Sequence, residues 1–330
     1  MKRIFENIKN SSLFNRILQW SKTVSLPGFG ALPLYTVCVF FFHEIVRESI
    51  LNKSASLAYN FILAIFPGII FLFTLIPYIP IANFQDQLLA FLQVIIPNDA
   101  FELIQTTLED IIKKQNRGLL SFGFLLSTFF ATNGMTTLMF AFNKSALAQE
   151  NRSWGKRRLV ALFLSFAIVL AITIGVGAFT AAGIFISYLQ KNIIYDIPWF
   201  WKLIIKIARW IILFLTYFFS VSFLYKFAPA SSKKWKFFSP GAMLATILAI
   251  LTFSGFAFYI NQFGAYNKIY GSIGTIIVIM VWMYLNSLIL LIGYELNASI
   301  ALSKQSIKII GPKSIDIVNK DPDTSESEME

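Results

Sequence analysis

Six long apolar segments recur along the chain, each bounded by polar or basic turns. Each has about 20 residues or more, which suits a helix crossing a hydrocarbon core about 30 Å thick. Backbone groups inside lipid must bond within their own segment, so the pattern predicts an all-α membrane protein with six transmembrane helices. The predicted spans are residues 57–79, 119–142, 159–186, 203–225, 240–260 and 273–300.

Shorter segments between and before these spans have an amphipathic pattern. Residues 1–30 alternate basic and apolar side chains, and residues 32–49 are apolar but too short to cross a bilayer. In residues 83–115 apolar side chains recur at helical spacing and acidic ones fill the other face. We therefore expect a basic N-terminal segment (1–30), a membrane domain (31–303) that includes interfacial helices and an amphipathic outer segment (83–115), and an acidic, disordered tail (304–330).

Composition and charge support this class and suggest an orientation. The chain is 56% hydrophobic and 14% charged, which excludes an ordinary soluble domain. The net charge of +11 comes from basic residues that punctuate the apolar runs, so it reflects topology and not nucleic-acid binding. With the N-terminus inside, 20 of the 28 Lys and Arg residues fall on the cytoplasmic side. This bias predicts that both termini are cytoplasmic.

The residues needed for common enzyme sites are scarce. The chain has one cysteine, Cys38, and one histidine, His43, and it carries no phosphate-binding, dinucleotide-binding or serine-hydrolase motif. Glu102, Glu109 and Asp110 could gather a hard cation, but their helical spacing is typical of a solvated surface. We therefore predict no catalytic residue, no metal site and no cofactor.

Two polar residues interrupt the last apolar segment. Asn286 lies near the middle of the predicted span, where an amide must find a hydrogen-bond partner, so it either pins two helices together or lines a solute pathway. Glu295 lies about 13 Å further along the helix, near the predicted cytoplasmic boundary. It either reaches headgroup water or pairs with a basic residue such as Arg158 or Lys226.

Other polar side chains near the ends or middles of spans could converge with these two. Together with Asn286 and Glu295, the candidate polar pathway comprises Tyr59, Asn60, Asn133, Asn261, Tyr266, Asn267 and Tyr270. Their convergence depends on which helix ends meet, and a single sequence does not specify that.

Two basic clusters are candidates for contact with anions or lipid headgroups. Lys202, Lys206 and Arg209 recur at helical spacing at the outer end of the fourth span, where they either snorkel to lipid phosphate or form an anion-attracting vestibule. Arg152, Arg157 and Arg158, interleaved with tryptophan, are typical of interfacial anchors for anionic lipid. Membrane lipids are thus the predicted partners.

Small residues at every fourth position predict close helix packing. Gly177 and Ala181 belong to such a series in the third span, and Gly241 and Ala245 to another in the fifth. Ordinary packing within one bundle accounts for both, and a homo-oligomer is compatible with them.

Several longer segments together resemble a known family. They are SASLAYNFILAIFPGIIFLFTLIPYIP, ATNGM followed by Phe142 and Asn143, RSWGKRR, FAPASSKKWKFFSPGA and FGAYNKIYGSIGTIIVIMVWMYLNSLILLIGYELNA. These resemble the YihY/BrkB family of bacterial membrane proteins over about residues 34–300. The resemblance implies a six-span, multi-pass protein of the bacterial inner membrane, associated with envelope function or virulence-related resistance. The family's former label, ribonuclease BN, is regarded as a misassignment.

These observations lead to three hypotheses of different classes. The first is a transporter-type protein that moves an ion or an anionic or lipid-like solute. The second is a structural or envelope-assembly protein without transport activity. The third and most remote is a tRNA-processing ribonuclease, which the shortage of metal ligands disfavours.

Overall fold

The architecture, seen in a computed structural model, is a bundle of long helices. The structure describes residues 12–25, 29, 32–47, 49–80, 83–95, 98–145, 148–192, 199–230, 237–262 and 272–310. Its helices are α1 (Ser12–Thr23), α2 (Leu34–Arg47), α3 (Ile50–Leu75), α4 (Phe84–Ile95), α5 (Asn98–Lys113), α6 (Arg117–Ser145), α7 (Trp154–Asn192), α8 (Trp199–Phe227), α9 (Pro240–Gln262) and α10 (Ser272–Ile310). A short 3₁₀ turn, Ile76–Tyr78, follows α3. No strand occurs among these residues.

Six of the helices, α3 and α6 to α10, are long and apolar enough to cross a membrane. This confirms the predicted all-α membrane fold. Helix α3 continues through Pro67, which is buried, although proline removes one backbone hydrogen bond from a helix. Helix α10 continues to Ile310, ten residues beyond the predicted span. The cytoplasmic location of the termini stays a prediction.

The buried core of the bundle contains side chains from all six of these long helices. Helix α3 packs on α6 and on α10, α9 packs on α10 and α8, and α7 packs on α6 and α8. The rings of Phe142, Tyr225 and Tyr294 join three of these helices, with 4.0 Å between the centroids of Phe142 and Tyr294. The Tyr225 hydroxyl donates to the Leu290 carbonyl at 2.7 Å, so this buried aromatic contact also satisfies its polar atom.

Two amphipathic helices cap the end of the bundle that the charge count places outside. Leu89 on α4 packs against Leu108 and Ile112 on α5 and against Ile76 in the 3₁₀ turn. Lys113 donates a hydrogen bond to Asp86 at 2.9 Å, and that bond and the carboxylate charge raise the pKa of Lys113. The amphipathic pattern therefore forms a small core of its own.

The N-terminal helices cover the far end of α10. Helix α1 packs on α2, and α2 packs on α10. Phe29, Leu32 and Val37 form a buried cluster with Ile300. The part of α10 around Ile300 is consequently covered by the N-terminal segment.

Candidate functional site

Asn286 lies between two cavities on the side of α10 that faces α8. Its Nδ2 donates to the Trp282 carbonyl at 2.8 Å, a bond within its own helix. In the described part of the chain Asn286 therefore does not pin α10 to a neighbour. The amide faces the cavities and is half-buried.

The larger cavity has a volume of about 390 Å³ and lies between α7, α8 and α10. That size is at the lower end of the range, about 300–1,000 Å³, for small-molecule sites. Its walls are mostly apolar, and the hydroxyls of Thr216 and Ser220 donate to carbonyls of their own helix. The lining residues are Ile168, Ile172, Gly175, Val176, Phe179, Leu213, Thr216, Tyr217, Ser220, Val221, Leu224, Asn286 and Leu290.

The smaller cavity, of about 160 Å³, lies on the other side of α8, against α9 and α10. It shares Leu213, Tyr217 and Asn286 with the larger one. Its remaining wall includes the indole rings of Trp210 and Trp282. The two cavities therefore meet at Asn286.

A close helix contact holds the wall of the larger cavity in place. A side-chain carbon added to Gly175 on α7 would overlap Thr216 on α8. Glycine lets the two backbones approach here, because van der Waals contact drives helix association in lipid. Ile172, Val176 and Leu213 remain exposed beside this contact, so the cavity opens sideways between α7 and α8.

Arg209 lies at one end of the larger cavity. Its guanidinium carbon is 5.6 Å from the centre of the Phe179 ring, a cation–π distance, and Phe179 also lines the cavity. The side chain is exposed. Lys202 and Lys206 occupy the same helix, but their side chains lie outside the described residues.

Three of the other predicted pathway residues, Tyr59, Asn60 and Asn133, line neither of these cavities. Tyr59 is 62% exposed on the outside of α3, and Asn60 donates to the Ser56 carbonyl of its own helix at 2.9 Å. Asn133 is half-buried next to Gly134, where α6 contacts α3. The side chain of Asn261, and the whole of Tyr266, Asn267 and Tyr270, lie outside the described residues, so their convergence stays a prediction.

Glu295 is fully buried, with 0% of its side chain exposed. The expectation that it reaches headgroup water is therefore wrong. The reason is that α10 continues beyond Glu295 and is covered there by α2 and α9. Within the described residues Arg158 does not pair with Glu295, because its guanidinium donates to Thr132 at 3.2 Å and lies over Phe129. Lys226 lies over the rings of Phe227 and Phe237.

A polar clasp joins two loops at the end of the bundle where α6 and α8 finish. Asn143 donates to Glu150 at 2.6 Å and accepts a hydrogen bond from the Ala230 backbone at 2.7 Å. The Arg152 guanidinium donates to the Ala228 and Pro229 carbonyls. Arg152 also lies 3.7 Å from Glu150, so the charges compensate each other in a partly buried place.

A second polar connection fixes the start of α9. The side-chain oxygen Oδ1 of Asn297 accepts a hydrogen bond from the Gly241 backbone N–H at 2.8 Å. The side-chain nitrogen Nδ2 of Asn297 donates to the Ser239 hydroxyl at 2.9 Å. One of the unpaired N–H groups at the helix start is thereby satisfied from another helix. The contact requires glycine, because a side-chain carbon on Gly241 would overlap the Gly293 carbonyl. The predicted packing role of Gly241 and Ala245, which is buried beside Gly293, agrees with this geometry.

Gly177 and Ala181 differ from this pair. Both are exposed, and no atom lies within 4 Å of a side-chain carbon built on Gly177. Among the residues that the structure describes, their predicted packing is therefore not made, because this face of α7 points away from the bundle.

Two arginines of the basic loop, Arg157 and Arg152, have different surroundings. Arg157 lies over Phe140, 4.8 Å from the ring centre, and it keeps access to the surface. Arg152 is committed to backbone carbonyls and to Glu150, so the prediction that it anchors lipid is replaced by a structural role. Sequence reasoning missed the roles of Asn143, Glu150, Ser239 and Asn297; the signal for Glu150 is that it is the one acidic residue in the basic loop 144–158.

No group of three or more His, Cys, Asp or Glu side chains that could hold a metal ion occurs within the described ranges.

Comparisons with known proteins agree with the helical membrane architecture. The family model described as virulence factor BrkB matches residues 41–314. A putative ribonuclease-like protein, YfkH of Bacillus subtilis, is 35% identical over 75% of this chain and 88% of its own length. A UPF0761 membrane protein of Vibrio parahaemolyticus is 30% identical over 80% of this chain and 82% of its own. No solved structure matches the chain.

The fold and these relatives define a multi-pass α-helical membrane protein. The chain belongs to the BrkB family of membrane proteins, as the resemblance in its sequence implied. This is not a known enzyme family, and the ribonuclease-like name is a legacy label. A bacterial inner-membrane location is consistent with these relatives. Asn143, Ser239, Gly241 and Asn297, which carried part of that resemblance, hold segments of the bundle together.

Proposed function

We propose that this protein is of transporter type and moves an anionic, lipid-like solute across the membrane. The observation that carries the proposal is the pair of mostly apolar cavities that meet at Asn286. Sites for small molecules are typically apolar with a few placed polar groups, and this arrangement fits that description. A fold by itself does not specify a function, whereas the shape and chemistry of the cavities indicate a class of solute.

Between the predicted solutes, a lipid-like molecule fits the walls better than an ion does. An ion inside the membrane needs oxygen or charged groups in place of its water shell. The walls offer chiefly Ile, Val, Leu and Phe side chains, and Asn286 contributes a lone amide. An amphiphile could place its chain against these walls and its polar part near the amide.

Reconstitution in liposomes tests this proposal. We expect the protein to accelerate the movement of a fluorescent anionic phospholipid between leaflets, measured by the fraction that dithionite quenches. Asn286→Leu should lower the rate at least several-fold. Thr173→Val is the matched control, since Thr173 is exposed on α7 and bonds only to its own helix within the described residues.

Absence of lipid flux with folded wild-type protein would overturn the proposal. Chloride or proton flux without lipid flux would replace the solute with an ion. Wild-type rates in Asn286→Leu would show that the solute passes elsewhere.

A non-transporting envelope-assembly role is the second candidate. Its support is the polar clasp, which fixes loops at one end, and the failure of Tyr59 and Asn133 to join Asn286. A stoichiometric partner in a pull-down, with wild-type behaviour in Asn286→Leu and Glu295→Gln, would favour it. Nuclease activity is the remote third, and metal-dependent cleavage of RNA by purified protein, lost on substitution of Glu102 or Asp110, would revive it.

A further inference from the structure

We propose that the larger cavity is a binding site for one anionic phospholipid, with an acyl chain between α7 and α8 and the phosphate at Arg209. This site identifies the class of solute as a phospholipid. Only the claim that the protein transports this lipid rests on the proposed function; the claim that the lipid binds does not. The binding itself requires three features: a cation at headgroup level, an apolar channel beneath it, and an opening to the bilayer.

The depth of Arg209 suits a lipid phosphate. It lies 18 residues before Phe227, the last residue of α8, which is about 27 Å along the helix axis and close to the thickness of a hydrocarbon core. A side-chain carbon built on Gly183 of α7 would lie 3.7 Å from an Arg209 guanidinium nitrogen, so α7 and α8 are close together at this level. The guanidinium is therefore near the membrane surface, where phosphate groups lie.

The chemistry of Arg209 favours phosphate. In the part of the chain that the structure describes, its guanidinium contacts the face of Phe179 and no carboxylate. A ring contact leaves the N–H donors available, and arginine presents them in a fork that matches phosphate oxygens. Lys202 and Lys206 precede it by seven and three residues on the same helix, which adds positive charge and favours an anionic headgroup over a zwitterionic one.

The cavity has the length of one acyl chain. Along α8 its lining extends from Leu213, one turn beyond Arg209, to Leu224. At 1.5 Å per residue this is about 16 Å, close to half of a hydrocarbon core about 30 Å thick. Phe179 belongs both to the Arg209 contact and to the cavity wall, so headgroup and chain positions are continuous.

The route into the cavity is lateral. Ile172 and Val176 line it while remaining exposed on the surface that faces lipid. A water-soluble anion would have to cross hydrocarbon to enter there, whereas a bilayer phospholipid needs only to slide its chain sideways. The occupant to which these observations point is thus a membrane lipid.

Tryptophan quenching provides a test in nanodiscs. Trp210 and Trp282 line the adjoining cavity, so phosphatidylglycerol brominated on its acyl chain should quench them. We expect stronger quenching by this lipid than by brominated phosphatidylethanolamine at equal mole fraction. Retention of lipid by the purified protein in native mass spectrometry is the second readout. Trp282→Phe should reduce the quenched fraction.

Two pairs of variants separate the contribution of the headgroup contact from that of the acyl-chain cavity. Arg209→Gln should abolish the preference for phosphatidylglycerol, whereas Arg117→Gln, at an exposed arginine at the start of α6 that lines neither cavity, should keep it. Ser220→Phe should fill the cavity and lower quenching and retention several-fold. Thr173→Phe adds the same ring at an exposed position of α7 that lines neither cavity, and it should behave as wild type.

Wild-type lipid preference and retention in both Arg209→Gln and Ser220→Phe would overturn the inference. Since Arg209 is exposed, its replacement tests the site even if Ser220→Phe misfolds. Lipid binding without flux would sustain this site and reject the transport function. Lipid flux that persists after this binding is lost would reject this site and leave the transport function standing.

Discussion

Among single residues, the asparagines of the bundle have two different structural roles. Asn143 and Asn297 each bond to backbone groups distant in sequence and tie segments together. Asn286 and Asn60 donate instead to the carbonyl four residues earlier in their own helix. The same side chain therefore stabilises tertiary structure in the first pair and faces space or surface in the second.

This difference predicts unequal effects on stability. Asn297→Ala should lower the free energy of unfolding by about 1–3 kcal/mol, because it leaves the buried Gly241 N–H without its acceptor. Asn286→Ala should cost less than about 1 kcal/mol, as expected for an amide that links no helices. Unfolding in mixed detergent micelles measures both, and equal losses would contradict the assignment.

Cys38 provides a prediction about pH. Partial burial on α2 raises the pKa of its thiol, so a smaller fraction is thiolate at a given pH than in an exposed cysteine. Alkylation of the native protein should therefore be slower than alkylation of the unfolded chain, and its rate should keep rising above the usual thiol pKa. Identical pH profiles for native and denatured protein would refute this.

Among whole elements, α7 and α9 carry the same spacing of small residues but use it differently. Gly241 on α9 contacts Gly293 of α10, whereas Gly177 on α7 points into open space. Spacing along one helix specifies a face, but which neighbour covers that face depends on the packing of the other helices. Glu295 illustrates the same limit, because its position along the helix follows from counting residues, whereas its burial depends on the helices that pack around α10.

The two glycines give a matched pair of substitutions. Gly241→Ala should destabilise the protein by about 1–3 kcal/mol, since the added carbon overlaps the Gly293 carbonyl. Gly177→Ala should be neutral or stabilise by up to about 1 kcal/mol, because alanine favours a helix more than glycine does. Thermal unfolding in detergent compares them. A similar loss at both positions would mean that Gly177 packs against another copy of the chain.

At the scale of the molecule, the pattern of apolar segments was sufficient to predict the six-helix membrane fold. The contacts between the helices and loops were not predictable from that pattern. Six spans follow from segment length and backbone chemistry alone. The clasp at Asn143 and the cavities at Asn286 depend on contacts between residues far apart in the chain. Their chemistry is visible in the sequence, as in the lone acid Glu150, but their partners are not.

Orientation is the remaining property of the whole molecule, and the charge count predicts it. Ser153 and Lys114 are both exposed and lie at opposite ends of the bundle, beside the starts of α7 and α6. In a Cys38→Ser background, Lys114→Cys should react with a membrane-impermeant maleimide on intact spheroplasts. Ser153→Cys should react only after the membrane is permeabilised, because the basic loop is retained in the cytoplasm. The opposite labelling would place the Arg209 end of α8 inside the cell, and the phospholipid bound there would then come from the inner leaflet.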